Sequence, residues 1–403
     1  MERERAYLDH AATSPMRRGA FEEMVRTARR DFANPASLHP PGKRCRDLLE
    51  EARERLLAAV MRGAYPETET VGGSAMGPES GAAGFDLVFT SGGTESDVMA
   101  LAGAVMGRRA GRVVTSSIEH AAVLECERLL RRLGAKLVKV PPAKSGRVET
   151  ERLLAELGEG AVAVSLMAVN NETGVVQPVQ EVAREVKRRY PRVLVHCDAA
   201  QALGNVSLAP GLESVDLVSL SAHKIGGPRG CGALLVRRGL SLEPLLPGGG
   251  QEGGRRSGTQ NLPGVRGFMA AAEELAEGLA GRISYMDELR RTLREFIHRA
   301  AQERRWALRI NEVEGEQSPH ILSVSVEGVP SEALTRALGA SGVDVSHGSA
   351  CGARRQKQSH VMAAMGIPGG WGTVRFSFSE ETSREAVSRG AQAWVDAVDD
   401  LRV

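Results

Sequence analysis

Val215-Asp-Leu-Val-Ser-Leu-Ser-Ala-His-Lys-Ile-Gly-Gly-Pro228 runs from a β-branched apolar stretch straight into a glycine-rich turn. The apolar half reads as a strand covered on both faces, and the turn delivers Ser221, His223 and Lys224 at its carboxyl end. Outward from it, similar short runs recur at 86–90, 112–115, 136–140, 161–169, 193–197 and 232–236, with helical patterns at 119–133 and 179–189 between some of them. Strands alternating with helices need crossover connections, so these spacings predict an α/β fold with a mostly parallel seven-stranded sheet flanked by helices. Ligands of such a sheet gather at the carboxyl ends of its strands.

After residue 236 the texture changes. Pro244, Pro247, Gly248, Gly249, Gly250, Gly253 and Gly254 crowd into a stretch that cannot hold a regular helix and reads as a functional loop. Beyond Pro263 a single long helical pattern runs toward Trp306, followed by a strand at 321–326, a helix at 331–338, a strand at 374–378 and a closing helix at 383–401. This predicts a smaller α+β domain, built from 1–14 and 265–403, beside a large domain spanning 15–264. Residues 66–84 carry no periodicity and read as a surface insertion.

The chain has 403 residues, and 52 Lys plus Arg against 50 Asp plus Glu leave a formal charge of +2, so no broad field selects nucleic acid. Pairs such as Arg29-Arg30 and Arg131-Arg132 read as solvated helix faces. No apolar run reaches the ~20 residues of a membrane span, and the acidic start lacks the features of a leader, which predicts a cytoplasmic protein. Five cysteines without a close C-x-x-C pair argue against a disulfide framework or a metal site. Cys45, Cys126, Cys197 and Cys231 fall in helical or β runs and read as buried thiols. Cys351 stands apart in a polar loop beside Arg354, Arg355 and Lys357, which favours thiolate.

Several strand ends carry chemistry. A lysine leaving a buried strand, like Lys224, loses solvation and becomes suited to Schiff-base formation, although a strand-end lysine can equally escape to solvent. Asp198 ends the run Val193-Leu-Val-His-Cys-Asp198, and such an acid needs a cation or a strong donor; an ordinary helix cap is the plainer reading. Pyridoxal phosphate sites pair just such a lysine with an acid at the ring nitrogen. Phe89-Thr-Ser-Gly-Gly-Thr-Glu-Ser96 passes through glycines into a helix start, a cradle for phosphate around Gly93 and Thr94 or else an empty capping box. His120 and Asn171 end two further strand runs and converge on the same edge. There His120 could lie over the cofactor ring and trade protons, and Asn171 could bond the ring's phenolic oxygen or a substrate carboxylate, although either can equally be a structural polar residue.

Taken in order, Y-L-D-H-A-A-T-S-P, N-P-A-S-L-H, T-S-G-G-T-E-S, S-S-I-E-H, V-N-N-E-T-G-V, H-C-D-A-A-Q, S-A-H-K-I-G-G-P-R-G, R-R-S-G-T-Q-N and G-S-A-C resemble the cysteine desulfurases, fold-type I pyridoxal phosphate enzymes related to class V aminotransferases. The resemblance runs from about Tyr7 to Ser379. It implies pyridoxal 5'-phosphate as cofactor, with Lys224 as the Schiff-base lysine, Asp198 as ring-nitrogen partner, Gln201 as ring-oxygen contact and His120 stacked on the ring. Gly93, Thr94, Ser221 and His223 would hold the phosphate, and Thr259 would reach the phosphate of the neighbouring subunit in a homodimer. Asn171, Arg375 and Asn34 would hold the carboxylate of L-cysteine. Cys351, on a loop at about 345–358, would take the sulfur as a persulfide and pass it to an acceptor protein, an iron–sulfur scaffold or a sulfur carrier. The 66–84 insertion, His347 and the basic 354–357 stretch depart from the family pattern. Selenocysteine lyase shares the cofactor and fold, and a sulfur-relay or scaffold subunit is the non-enzymatic alternative.

Overall fold

The computed structural model describes residues 5–64, 84–106, 108, 111–207, 209–348 and 358–402. Its strands are β1 (Ala6–Tyr7), β2 (Phe85–Thr90), β3 (Gly111–Ser116), β4 (Ala135–Val140), β5 (Ala161–Met167), β6 (Leu194–Asp198), β7 (Leu217–Ser221), β8 (Gly232–Arg237), β9 (Leu308–Ile310), β10 (Ile321–Glu327), β11 (Val343–Asp344) and β12 (Trp371–Ser377). Seven form one sheet in the order β2–β8–β7–β6–β5–β3–β4. The pairs from β4 across to β7 are parallel, and β8 alone runs against its neighbours β7 and β2. The α/β class and the mostly parallel sheet expected from the sequence are therefore present.

Every residue of β6 and β7 is buried, which is why these strands read as unbroken apolar runs rather than alternating ones. Helix Gly93–Met106 covers one face, and helices Pro40–Ala64 and Leu262–Ala276 contribute to the core on the other. A second apolar core gathers around Leu8, Leu293, Phe376 and Trp394, between the antiparallel sheet β12–β10–β9 and helices Leu279–Arg304 and Arg384–Leu401.

Two helical expectations need correction. The single pattern from 263 to 306 is two helices, Leu262–Ala276 and Leu279–Arg304, because Glu277 is extended and Gly278 turns left-handed at φ 71°. The first of them packs into the large core and the second into the smaller one. The 119–133 pattern likewise splits into Ala121–Leu124 and Glu127–Arg132. No described helix is long and apolar enough to cross a membrane.

The amino-terminal residues belong to the second core. β1 pairs in parallel with β11, Leu8 N–H donates to Asp344 O at 2.8 Å, and Ser377 N–H donates to Leu8 O at 2.8 Å. The Leu8 side chain is fully buried. Leu8→Ala should therefore cost about 2–5 kcal/mol, as for other buried leucines, read by urea unfolding; a cost below about 1 kcal/mol would show that this strand does not brace the core.

Candidate active site

The carboxyl ends of β2, β3, β5, β6 and β7 meet along one edge. β6 ends in Asp198. β7 ends in Ser221 and continues as a short 3-10 turn, Ala222–Ile225, that carries His223 and Lys224. Gly226 stops the turn at φ 74°, and a Cβ there would lie 2.7 Å from Arg17 Cγ and 3.0 Å from Pro15 O, so the backbone passes too close for a side chain.

Lys224 Nζ donates to Ala11 O at 2.7 Å and Ala12 O at 3.0 Å. Gln201 Nε2 donates to the same Ala11 O at 2.8 Å, and its Oε1 lies 3.1 Å from His320 Nε2. The amino-terminal loop thus ties the lysine to the glutamine. Asp198 is 7% exposed, and its Oδ1 accepts from Ala200 N–H at 2.9 Å. Burial pushes its carboxyl above the ordinary carboxylate range, while the Ala200 hydrogen bond, His120 and Lys224 pull it back. His120 caps the next helix, its Nδ1 accepting from Ala122 N–H at 3.1 Å, so the neutral ring carries its proton on Nε2. Burial lowers the His120 pKa against the pull of Asp198. A neutral imidazole beside Asp198 suits stacking on a planar ring.

Beside these residues lies a pocket lined by Thr13, Gly93, Thr94, Ser221, His223 and Arg229, among others. A Cβ on Gly93 would sit 3.5 Å from Ser221 Cβ, so the helix start lies against the strand end. Burial holds the His223 pKa down at about 4, and its Nδ1 is 3.2 Å from Thr13 Oγ1. Helix N–H groups, hydroxyls and one guanidinium make an anion cradle. Glu95 Oε2 accepts from Ser91 N–H at 2.7 Å, and Glu95 Oε1 pairs with Arg256 at 2.8 Å, which ties the 252–259 loop to the cradle. Thr259 is exposed in the single chain.

Arg375 is 2% exposed. It donates from Nη2 to Asp9 Oδ1 and from Nη1 to Asn171 O, both at 2.7 Å, and its Nε is buried with no partner. Asn171 is thus joined to Arg375 through its backbone carbonyl. Asn34 is exposed, and its Oδ1 accepts from Ala36 N–H at 2.9 Å in a local turn that joins it to none of the other candidates. Cys351, with Arg354, Arg355 and Lys357, and nearly all of the 66–84 insertion lie outside the described residues. Cys45, Cys126, Cys197 and Cys231 are buried.

Sequence reasoning passed over Thr13, Arg229, Asp9 and His320. Asp9 and Thr13 stand inside the quoted Y-L-D-H-A-A-T-S-P and Arg229 inside S-A-H-K-I-G-G-P-R-G, so a signal existed. His320 gave none.

The class-V aminotransferase family matches residues 81–389. The cysteine desulfurase IscS of Dictyoglomus turgidum is 34% identical over 389 residues, spanning 96% of this chain and 92% of that relative. The chain belongs to the cysteine desulfurase family. A solved NifS-like protein matches it with a TM-score of 0.84 at 32% identity, covering 98% of this chain and 100% of the other. SspA, solved in complex with cysteine, matches with a TM-score of 0.74 at 26% identity, covering 94% and 99%. Membership implies pyridoxal phosphate as cofactor, and the donor set fits it: a phosphate cradle, a half-buried lysine, and a buried acid that lacks a full set of partners.

The cradle depends on a close backbone approach. A Cβ on Gly232 would lie 2.6 Å from Gly92 Cα and 2.8 Å from Leu220 O. Gly232→Ala should cost about 1–3 kcal/mol through overpacking and leave less pyridoxal phosphate bound after dialysis; wild-type retention and melting temperature would refute the close-approach argument.

Proposed function

We propose that the protein is a pyridoxal-phosphate-dependent cysteine desulfurase. It takes sulfur from L-cysteine, releases L-alanine and leaves a persulfide on Cys351 for transfer to an acceptor protein. The supporting observation is the convergence of Asp198, Lys224, His120 and the Gly93–Ser221 cradle on one sheet edge.

In this reading Lys224 holds the cofactor, Asp198 its ring nitrogen, Gln201 its ring oxygen and His120 its ring face. Gly93, Thr94, Ser221 and His223 hold the phosphate, with Thr13 and Arg229 added from the pocket. Bound pyridoxal phosphate supplies an electron sink for bonds at the amino acid's α-carbon. The chain supplies the rest. Lys224, kept in place by the carbonyls of Ala11 and Ala12, moves the α-proton. Arg375 orients the substrate carboxylate, its plane fixed by Asp9 and the Asn171 carbonyl while Nε still needs an acceptor. Asn171 and Asn34 are the remaining carboxylate contacts of the reading. The Cys351 thiolate takes the sulfur atom, forming an S–S bond as the substrate C–S bond breaks.

We place the working site in a cytoplasmic homodimer, where Thr259 of one subunit completes the phosphate site of the other. Phe32 at 83% and Leu38 at 80% exposure are apolar side chains that a second copy would cover. We also place the domain division at the Glu277–Gly278 break rather than at 264, because helix Leu262–Ala276 packs into the large core. The acceptor is read as an iron–sulfur scaffold or a sulfur carrier.

Purified protein should be yellow. Lys224→Ala should lose the Schiff-base absorption, whereas Cys351→Ala should keep the colour and form no persulfide from cysteine. Colour lost in both variants, or persulfide formed by both, would overturn these roles.

A further inference from the structure

Two carboxyls beside Asp198 have no task in the proposed reaction. Asp97, on helix Gly93–Met106, is 2% exposed, and Glu119, in the loop after β3, is fully buried. Glu119 Oε1 accepts from Ser116 Oγ at 2.5 Å and from Met167 N–H at 3.2 Å, while its Oε2 is buried without a partner. Asp97 Oδ1 is likewise buried and unbonded. His196 Nε2 lies 3.6 Å from it and is already 2.9 Å from Ser219 Oγ. His196 Nδ1 lies 2.9 Å from Ser165 Oγ, so the ring bridges β5 and β7, and burial holds its pKa down at about 3. No described lysine or arginine forms an ion pair with Asp97 or Glu119.

Three carboxylates in one dry region cannot all ionise when the cation at hand serves only one of them. Lys224 acts on Asp198, whereas Asp97 and Glu119 feel the charge of Asp198 itself. An unpartnered oxygen is tolerable on a buried neutral acid and far more costly on a buried carboxylate. We propose that Asp97 and Glu119 are positioning residues carried as neutral acids, which confines the buried negative charge to Asp198 and so keeps Asp198 ionised as the partner of the cofactor's ring nitrogen. The role in holding the ring rests on the cofactor reading above; the protonation of the two acids does not.

The groups facing Glu119 are Ser116 from β3, Met167 from β5 and Asp198 from β6, with His360 Nε2 at 3.0 Å from its backbone oxygen. Asp97 faces His196, Ser219, Asp198 and Glu119, and the Cys126 and Cys197 thiols of the same region are raised by burial. Burial lifts the Glu119 carboxyl from 4.5 to about 8. Its stabilising contribution is thus fully present below the lower value and is lost as pH rises through the upper one.

The test has two arms on the full-length chain. Infrared difference spectra between about pH 6 and about pH 9 should show a protonated-carboxyl C=O band disappearing in wild type, with or without cofactor, and no such band in Glu119→Gln. Absence of the band in wild type, which needs no variant to fold, overturns the neutral-acid assignment, as does its survival in both Glu119→Gln and Asp97→Asn. In the second arm the holoenzyme's cofactor absorption should shift with pH near the loss of that band, and Glu119→Gln should abolish the shift while leaving the neutral-pH spectrum unchanged. A shift that persists in Glu119→Gln overturns the positioning role. A chain that binds no cofactor yet shows the band would sink the cofactor reading and leave the two acids as assigned.

Discussion

Asp198 Oδ1 receives one backbone N–H, from Ala200, at the end of a strand buried along its whole length. A carboxylate so placed needs positive charge nearby to remain ionised. The fold supplies it from Lys224: β7 lies beside β6 in parallel register, so the turn after it sets the ammonium within electrostatic reach, while the segment after β3 brings the neutral His120 ring to the same edge. Neither residue is close to Asp198 in sequence. The parallel sheet makes them neighbours by aligning all its strand ends along one edge.

The second core contributes the other half of the site. Arg375 sits on β12 and Asp9 follows β1, both in the part of the chain built around Leu8 and Trp394, while Asn171 belongs to the loop after β5 of the large sheet. The guanidinium therefore spans the two cores. Arg17 makes a similar bridge, pairing with Glu274 at 2.7 Å and also with Glu380. Pairs of this kind, with arginine mostly buried, fix relative placement more than they add stability, since desolvation offsets much of the attraction. Their effect here is to hold a buried guanidinium and a lysine from different cores in one frame.

The features legible in the sequence were those with local causes. Runs such as Leu-Val-His-Cys-Asp and Leu-Val-Ser-Leu-Ser announced buried parallel strands, and the polar residues that end them pointed to the candidate site. Long-range events left no such mark. The Gly278 break was invisible because the apolar pattern continues across it, and a glycine inside a helical pattern is compatible with either outcome. The Gln201–His320 contact joins residues 119 apart, and the Arg375–Asp9 pair joins residues 366 apart. A quoted motif holds Gln201 and the wider resemblance names Arg375, but what secures them is set by the packing of elements whose order the local sequence does not state. Asn34 is the converse case: its motif was legible, yet in one chain its side chain serves only its own turn.

The distribution of charge around the site follows from how dry it is. His10, His196 and His320 are each buried, with pKa values held at about 4, about 3 and about 3, so all three are neutral at ordinary pH and act as hydrogen-bonding spacers. His320 in that state can relate Gln201 to Ser318 without adding charge, and His10 stands between Ser14 and Ser379 in the same way. Charge is left on Arg375 with Asp9, on Arg256 with Glu95, on Arg229 in the cradle and on Lys224 acting on Asp198. A site arranged like this changes its charge state near neutral pH only where a perturbed group has been moved into that range. Burial has moved the Glu119 carboxyl there and has moved these three histidines out of it.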